Sequence, residues 1–203
     1  MRMEEMAIEG GFHDAVMQAQ ANFRGLMDAM AQPGTIFRDL ALPRPPAPLS
    51  PEAGAVALTL CDADTPIWLD PALGAEKAVT TWLGFHIGAP VVDQPSAAHF
   101  ALVSQPSELI ALENFAQGSQ SYPDRSATII LQVDNLSHGG ALRLSGPGIR
   151  DQAELAPTSM PRHFLQQWAQ NNERYPRGVD LVLVSRAGIA CLPRTTRITT
   201  KEG

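Results

Sequence analysis

Lysine is nearly missing from this chain of 203 residues: 13 arginines stand against Lys77 and Lys201 alone, and 21 acidic side chains outnumber 15 basic ones, for a net charge of −6. No segment carries a basic stripe, which argues against nucleic-acid binding. The acidic balance still leaves room for an anionic ligand held by a few placed arginines. Cysteine is scarce too. Cys61 and Cys191 each sit in an apolar stretch, so they are expected to be separate reduced core thiols, not a disulfide framework. No run approaches the roughly 20 apolar residues that a membrane helix needs. The start, Met1-Arg2-Met3-Glu4-Glu5, lacks an apolar signal core, and a cytoplasmic location follows as the default. There is no Walker loop, no Gly-x-Gly-x-x-Gly after a strand and no Gly-x-Ser-x-Gly elbow. His13, His86, His99, His138 and His163 show no metal-ligand spacing.

What is present is apolar material. Hydrophobic residues make up 44% and charged residues 18%, enough for a sizeable core and against disorder. The length suits one domain over 1–203, with 1–11 and 199–203 expected to be loose ends. Phe12 to Ala31 reads as a helix with Val16, Ala19, Phe23, Leu26, Met27 and Met30 on one face. Ile36 to Leu40 reads as a short strand, and the four prolines of Pro43 to Pro48 as an extended connector. Ser50-Pro51-Glu52 opens a second helix to about Leu60: the Ser caps, the Pro fits the first position, and the Glu suits the positive end. Further helices are expected over Gly74 to His86, Pro106 to Phe115 and Pro161 to Asn171. Strands are expected at Ile67 to Leu69, His99 to Val103, Ala127 to Val133 and Ala141 to Leu144, the last returning after an Asn135 to Gly140 turn. Val179 to Ser185 and Ile189 to Leu192 complete a second hairpin. This interleaving predicts a three-layer α/β/α domain with a mixed sheet. Phe23, Leu26, Met30, Trp82, Ile130, Leu131, Phe164 and Trp168 are the expected core.

Four places carry residues able to do chemistry, each beside a plainer reading. Gly146-Pro147-Gly148 after Ser145 can cradle an anion through backbone amides, but the Pro removes one amide and a structural turn is the better reading. Asp62 and Asp64, two apart, can hold a cation or work as acid and base, yet in this position they more often form turns and caps. Arg194-Thr195-Thr196-Arg197 offers two guanidinium forks and two hydroxyls for a phosphate or a partner carboxylate, against an ordinary polar strand end. No catalytic, cofactor or metal site is assigned. Asp64, Ser145, Gly146, Gly148, Arg194 and Thr195 are the candidate anion or partner contacts.

Several segments together resemble a known family. They are Phe23-Arg24-Gly25-Leu26-Met27-Asp28-Ala29-Met30-Ala31-Gln32-Pro33-Gly34, Leu58 to Leu69 with its Cys61-Asp62-Ala63-Asp64-Thr65-Pro66, and Phe85-His86-Ile87-Gly88-Ala89-Pro90. Thr128-Ile129-Ile130-Leu131-Gln132-Val133, Leu142 to Ile149, Gly178-Val179-Asp180-Leu181 and Pro193-Arg194-Thr195-Thr196 follow in order. The chain is identified on these as a member of the PhnH family, the H subunit of the bacterial carbon–phosphorus lyase system. The likeness spans roughly residues 12–198 and departs from the family pattern in the Pro-rich connector and at the C-terminal end.

The resemblance implies one of four subunits, G, H, I and J, of a core complex that takes phosphorus from alkylphosphonates. It implies a part in the step where a phosphonate displaces adenine from ATP to give a ribose 1-phosphonate 5-triphosphate. The nucleosidase chemistry belongs there to the I subunit, and the radical cleavage, with an iron–sulfur cluster and S-adenosylmethionine, to the J subunit. It also implies a fold like the large domain of pyridoxal-phosphate-dependent transferases without the cofactor. The residues agree with the last point, since neither Lys77, near the start of an exposed helix, nor Lys201, two residues from the C-terminus, suits a Schiff base. A non-catalytic subunit, homodimeric when isolated, is the leading expectation. Its self-association face is expected around the Pro-rich connector and Asp62 to Trp68. A small enzyme or anion-binding protein built on Asp64, Ser145 and Arg194 is the alternative, and a surviving cofactor binder a third.

Overall fold

The computed structural model describes residues 9–200. Its centre is a five-stranded mixed sheet in the order β1-β2-β3-β6-β7. Here β1 is Ile67–Leu69, β2 Phe100–Val103, β3 Thr128–Gln132, β6 Asp180–Ser185 and β7 Gly188–Leu192. The first four run parallel, and β7 returns antiparallel to β6 in register Leu183↔Ala190. Alternation splits the strand side chains between two cores. Ile67, Leu102, Ile130 and Val182 pack on one face against α1 (Ala15–Ala31), α2 (Pro51–Leu60), α3 (Pro71–Ala75) and α4 (Lys77–His86). Trp68, Ala101, Ile129, Leu131 and Leu181 face the other way, onto Phe164 and Trp168 of α5 (Phe164–Glu173). The second outer layer is completed by a three-stranded antiparallel sheet, β5-β4-β8, with β4 Leu136–Ser145, β5 Ala153–Pro157 and β8 Arg197–Thr200. The α/β class and the mixed sheet are as expected, but that layer is half sheet rather than helix alone.

Local expectations fare unevenly. Ser50 does cap α2, accepting from the Ala53 N–H at 3.1 Å. The Gly74 to His86 helix is instead two helices broken at Glu76, whose ψ of 100° is outside the helical range. Pro106 to Phe115 is not a helix but two single 3-10 turns, at Pro106–Glu108 and Leu112–Asn114. Side chains stand in for a helical ladder there: Gln167 accepts from the Leu112 N–H, and Gln117 donates to the Leu112 and Phe115 carbonyls. Ile36 to Leu40 contributes only a bridge, Phe37 to Ile189. β4 leaves β3 for the second sheet and does not fold back as a hairpin.

The largest correction concerns α1. Its buried residues are Asn22, Gly25, Leu26 and Ala29. Phe23, expected in the core, is 47% exposed, and Met30 is only partly buried. The coil after α1 explains the rotation. The Phe37 ring lies where a Gly25 side chain would start, and Asn22 exchanges hydrogen bonds with both backbone groups of Ala41 at 3.0 and 2.8 Å. Leu26, Trp82, Ile130, Leu131, Phe164 and Trp168 are core as expected. Of the ends expected loose, 1–8 and 201–203, with Lys201, lie outside the described residues. The Glu9 carbonyl accepts from Trp82 Nε1 at 3.0 Å, and Thr199 pairs with Arg143 in β8, so these parts of the ends are tied down.

Candidate functional site

The parallel strands have two ends, and polar side chains gather at both. The C-terminal end is the customary ligand position in open α/β sheets, at the point where successive connections diverge. Here that point lies between β1 and β2. The chain leaves β1 outward through α3 and α4, and Val91 then forms a parallel bridge to Ile67. It leaves β2 inward to β3.

The divergence is filled by protein. Asp70 directly follows β1 and is fully buried. Its Oδ1 accepts from the Leu73 N–H at 2.8 Å. Its Oδ2 accepts from the Ser104 N–H at 2.7 Å, the Ser104 hydroxyl at 2.9 Å and the Gln105 N–H at 3.1 Å. Beside it Gln132, the last residue of β3, accepts from the Ser50 N–H at 2.7 Å and donates to the Pro48 carbonyl at 3.1 Å. A carboxylate of the chain itself thus sits where backbone amides of the first turn of α3 and of the loop after β2 converge, the arrangement that elsewhere receives a ligand anion.

The N-terminal end holds most of the residues singled out from sequence. Arg194, after β7, is a clamp with a side chain 13% exposed. Its backbone N–H donates to Asp180 Oδ1 at 2.7 Å and its Nε to the same oxygen at 3.1 Å. Nη2 reaches Asp180 Oδ2 and the Ser126 hydroxyl, and Nη1 the Pro123 and Pro176 carbonyls. The fork ties the approaches to β3 and β6 to the exit of β7, so its donors are spent on protein and not available to an anion.

Gly146 and Gly148 prove to be turn formers. Both have positive φ, 132° and 80°. A Cβ at Gly146 would lie 2.9 Å from the Thr195 carbonyl oxygen, and one at Gly148 would overlap the Ala31 carbonyl. The Ile149 N–H closes the turn on the Gly146 carbonyl at 3.2 Å. Ser145 pairs with Arg197 across β4 and β8. The structure therefore brings Ser145, Gly146, Arg194 and Thr195 to one place but turns Gly148 onto the end of α1. Asp64 is elsewhere, exposed in a turn before β1, at the opposite edge of the large sheet from β7. That turn is built by Asp62, whose Oδ1 accepts from the Asp64 N–H at 3.0 Å.

Beside the clamp opens a cleft of about 340 Å³ lined by Pro147, Asn172, Tyr175, Arg194, Thr195 and Arg197. Arg197 is its exposed cation. Asn172 and Tyr175 were missed from sequence, because the end of α5 carries no motif that ties it to the Arg194 segment. Asn172 Nδ2 donates to the Arg194 and Thr196 carbonyls at 2.6 and 3.0 Å, and Trp168 Nε1 to the Thr196 carbonyl at 2.8 Å. The Thr196 hydroxyl is buried without a partner.

Elsewhere the chemistry is muted. Burial pushes both cysteine thiols up to about 12, helped by the nearby charges of Asp62 at Cys61 and Asp180 at Cys191. They are separate free thiols, as expected. Lys77 is exposed at the first residue of α4. Among the described residues, no group of three or more His, Cys, Asp or Glu is placed to hold a metal, and no helix is long and apolar enough to cross a membrane.

Comparison with known proteins adds what the geometry does not carry. A family model described as bacterial phosphonate metabolism protein (PhnH) matches residues 10–199. The alpha-D-ribose 1-methylphosphonate 5-triphosphate synthase subunit PhnH of Rhizobium meliloti (strain 1021) is 45% identical over 198 residues, 98% of each chain. The putative C-P lyase subunit protein HtxG of Stutzerimonas stutzeri is 31% identical over 186 residues, 90% of this chain and 86% of that one.

Proposed function

Because this chain belongs to the PhnH family of bacterial phosphonate metabolism proteins, we propose that it is a non-catalytic subunit of the carbon–phosphorus lyase core complex. It serves the step in which an alkylphosphonate displaces adenine from ATP to give a ribose 1-phosphonate 5-triphosphate, in phosphonate catabolism. The observation that carries the reading is 45% identity over 98% of both chains to a subunit named for that synthase. The geometry supports the non-catalytic part. At the C-terminal strand ends, where a cofactor or substrate would bind, Asp70, Ser104 and Gln132 are engaged with protein, and the best-placed guanidinium at the other end is closed onto Asp180.

The partners are the G, I and J subunits, and ATP as a substrate of the complex supports a cytoplasmic place. The fold is that of a pyridoxal-phosphate-dependent transferase domain emptied of its cofactor, a reading supported by the mixed sheet and by the exposed position of Lys77. Alone, the chain self-associates through a face that meets another subunit in the complex. Trp68 cannot anchor that face: it is 9% exposed and packs edge-on to Phe115 at 5.5 Å. The Pro-rich connector likewise covers α2 at Gly54.

The deciding experiment co-expresses this chain with G, I and J subunits and follows adenine release and phosphonate transfer from ATP and methylphosphonate. Transfer of the phosphonate to the ribose, giving the ribose 1-phosphonate 5-triphosphate, is expected from the four together and from neither this chain alone nor the three without it, where the I subunit's nucleosidase chemistry can free adenine only by hydrolysis. Adenine release by this chain alone would refute the subunit reading and favour an enzyme with its own pocket.

A further inference from the structure

The three-stranded sheet gives one face to the core and the other to water. Leu142 and Leu144 of β4, Leu155 of β5 and Ile198 of β8 pack inward, into the core that holds Phe164 and Trp168. Alternation then turns Arg143 and Ser145 of β4, with Arg197 and Thr199 of β8, onto the open face. There Arg143 and Ser145 are half-buried, and Arg197 and Thr199 exposed. Their register is symmetrical. Arg143 pairs with Thr199, and Ser145 with Arg197. One pattern, an arginine and then a hydroxyl two residues on, thus runs along both strands in opposite directions. Each guanidinium stands opposite a hydroxyl, and a local two-fold axis relates the halves. The arginines are diagonal neighbours, with Cβ atoms about 7 Å apart, so both forks can reach one point between them.

Two like charges side by side repel, and this chain has 21 acidic side chains with which to pair them. Elsewhere it does so: Arg174 pairs with Glu113, and Arg194 with Asp180. Among the described residues, none of Arg143, Ser145, Arg197 and Thr199 makes a side-chain hydrogen bond or an ion pair. Glu154 stands opposite Arg143 on β5 but has a contact of its own. Its charge works against a bound anion, so a single fork would hold one poorly.

Two forks and two hydroxyls call for an anion with more than one charge and more than two oxygens. A carboxylate has one charge and two oxygens, and one bidentate arginine satisfies it. A phosphoryl or phosphonyl group offers three oxygens and up to two charges, enough to accept from both guanidinium groups and both hydroxyls. The cleft with Tyr175 opens beside Arg197, so the organic part of an ester has somewhere to lie. We propose that Arg143, Ser145, Arg197 and Thr199 form a binding site for a phosphoryl or phosphonyl group on the open face of the small sheet. The site is independent of the subunit reading, and each can fail without the other.

Isothermal titration calorimetry of the full chain at low ionic strength tests it, with inorganic phosphate, methylphosphonate, AMP and acetate as probes. Phosphate and methylphosphonate are expected to bind once per chain, and acetate at least tenfold more weakly. AMP carries the same charge on one phosphate. If it binds at least tenfold tighter than phosphate, the natural source is an ester that also uses the cleft. If the two bind equally, the source is the free group; either result keeps the site. Arg197→Ala is expected to weaken phosphate at least tenfold with an unchanged Tm. Arg197→Lys should recover little, because the charge returns without the fork. Acetate binding as tightly as phosphate overturns the assignment to a phosphoryl or phosphonyl group. Phosphate affinity that survives Arg197→Ala, or is fully restored by Arg197→Lys, overturns the paired-fork geometry. No binding of any probe at millimolar concentration, by heat or by phosphorus NMR, overturns the site itself.

Discussion

The two ends of the parallel strands solve opposite problems with one device. At the C-terminal end, backbone amides of the Leu73 and Ser104–Gln105 segments converge, and a buried carboxylate, Asp70, meets them. At the N-terminal end the carbonyls of Pro123 and Pro176 and the Asp180 carboxylate converge, and a guanidinium, Arg194, meets them. Each end is closed by an ion of the chain itself. They differ in access to water. Asp70 is fully buried, whereas Arg194 and Asp180 keep 13% and 19% of their side chains exposed, beside an open cleft. The sealed end is therefore expected to matter for stability alone. The open end has spare surface.

Removing the seal should have the largest effect. Asp70→Ala leaves the Leu73, Ser104 and Gln105 N–H groups buried without an acceptor, and is expected to cost about 3–4 kcal/mol. Urea unfolding measures it; a loss under about 1 kcal/mol would mean that water replaces the carboxylate and that this end is not sealed. Arg194→Ala is expected to cost somewhat less, about 2–3 kcal/mol, because the abandoned Asp180 can recover some hydration. Arg194→Lys should recover little of it, since an ammonium cannot reach Asp180, Ser126 and two carbonyls from one plane. If Arg194→Ala proves the costlier of the two, the contrast between the ends is reversed.

How much of this was legible from sequence follows from where the causes lie. Local causes were readable. Ser50-Pro51-Glu52 starts α2 because the cap, the fixed φ and the charge act within one turn, and the β-branched, apolar run of Ala127 to Val133 reads as a buried strand, which the structure has at Thr128–Gln132. Causes that arrive from far away were not. The Phe23 and Met27 face looked like core because apolar spacing alone cannot say that Phe37 and Ala41 will claim Asn22 and Gly25. Arg194 looked like a free fork because Asp180, Ser126 and Pro123 approach it only after the sheet has formed. Gly146 and Gly148 were readable as a turn, since Pro147 had already removed an amide. Asp64 could not be separated from Arg194 before the strand order was known. Asp70 went unremarked, as a lone Asp-Pro pair looks like any helix cap.

A smaller effect of opposite sign is expected beside the clamp. The Thr196 hydroxyl is fully buried with no partner. Thr196→Val keeps the shape and replaces the stranded oxygen with a methyl group, and is expected to stabilise by about 1 kcal/mol. Calorimetry reads this as a higher Tm. A lower Tm would show that the hydroxyl has found water or a neighbour, and that the open end is wetter than the packing of Trp168 and Asn172 suggests.

The smallest effect should come from Arg197, and its size decides what the open end is for. Arg197 and Arg194 are three residues apart and looked equivalent as sequence, two forks flanking two threonines. In the fold Arg194 is enclosed and Arg197 is exposed on β8 at the mouth of the cleft. An exposed cation of this kind contributes little to folding, so Arg197→Ala should move stability by less than about 0.5 kcal/mol in urea. The same substitution then becomes a clean probe of binding, because a loss of function cannot be blamed on unfolding. If the cleft receives an acidic group from another subunit, Arg197→Glu should weaken assembly with G, I and J in a salt-dependent way, and raised ionic strength should weaken the wild-type assembly toward the same level. If assembly is indifferent to Arg197→Glu at low salt, the cleft is idle surface. Both ends of the sheet would then be purely structural, and the contrast between them would be one of hydration and nothing more.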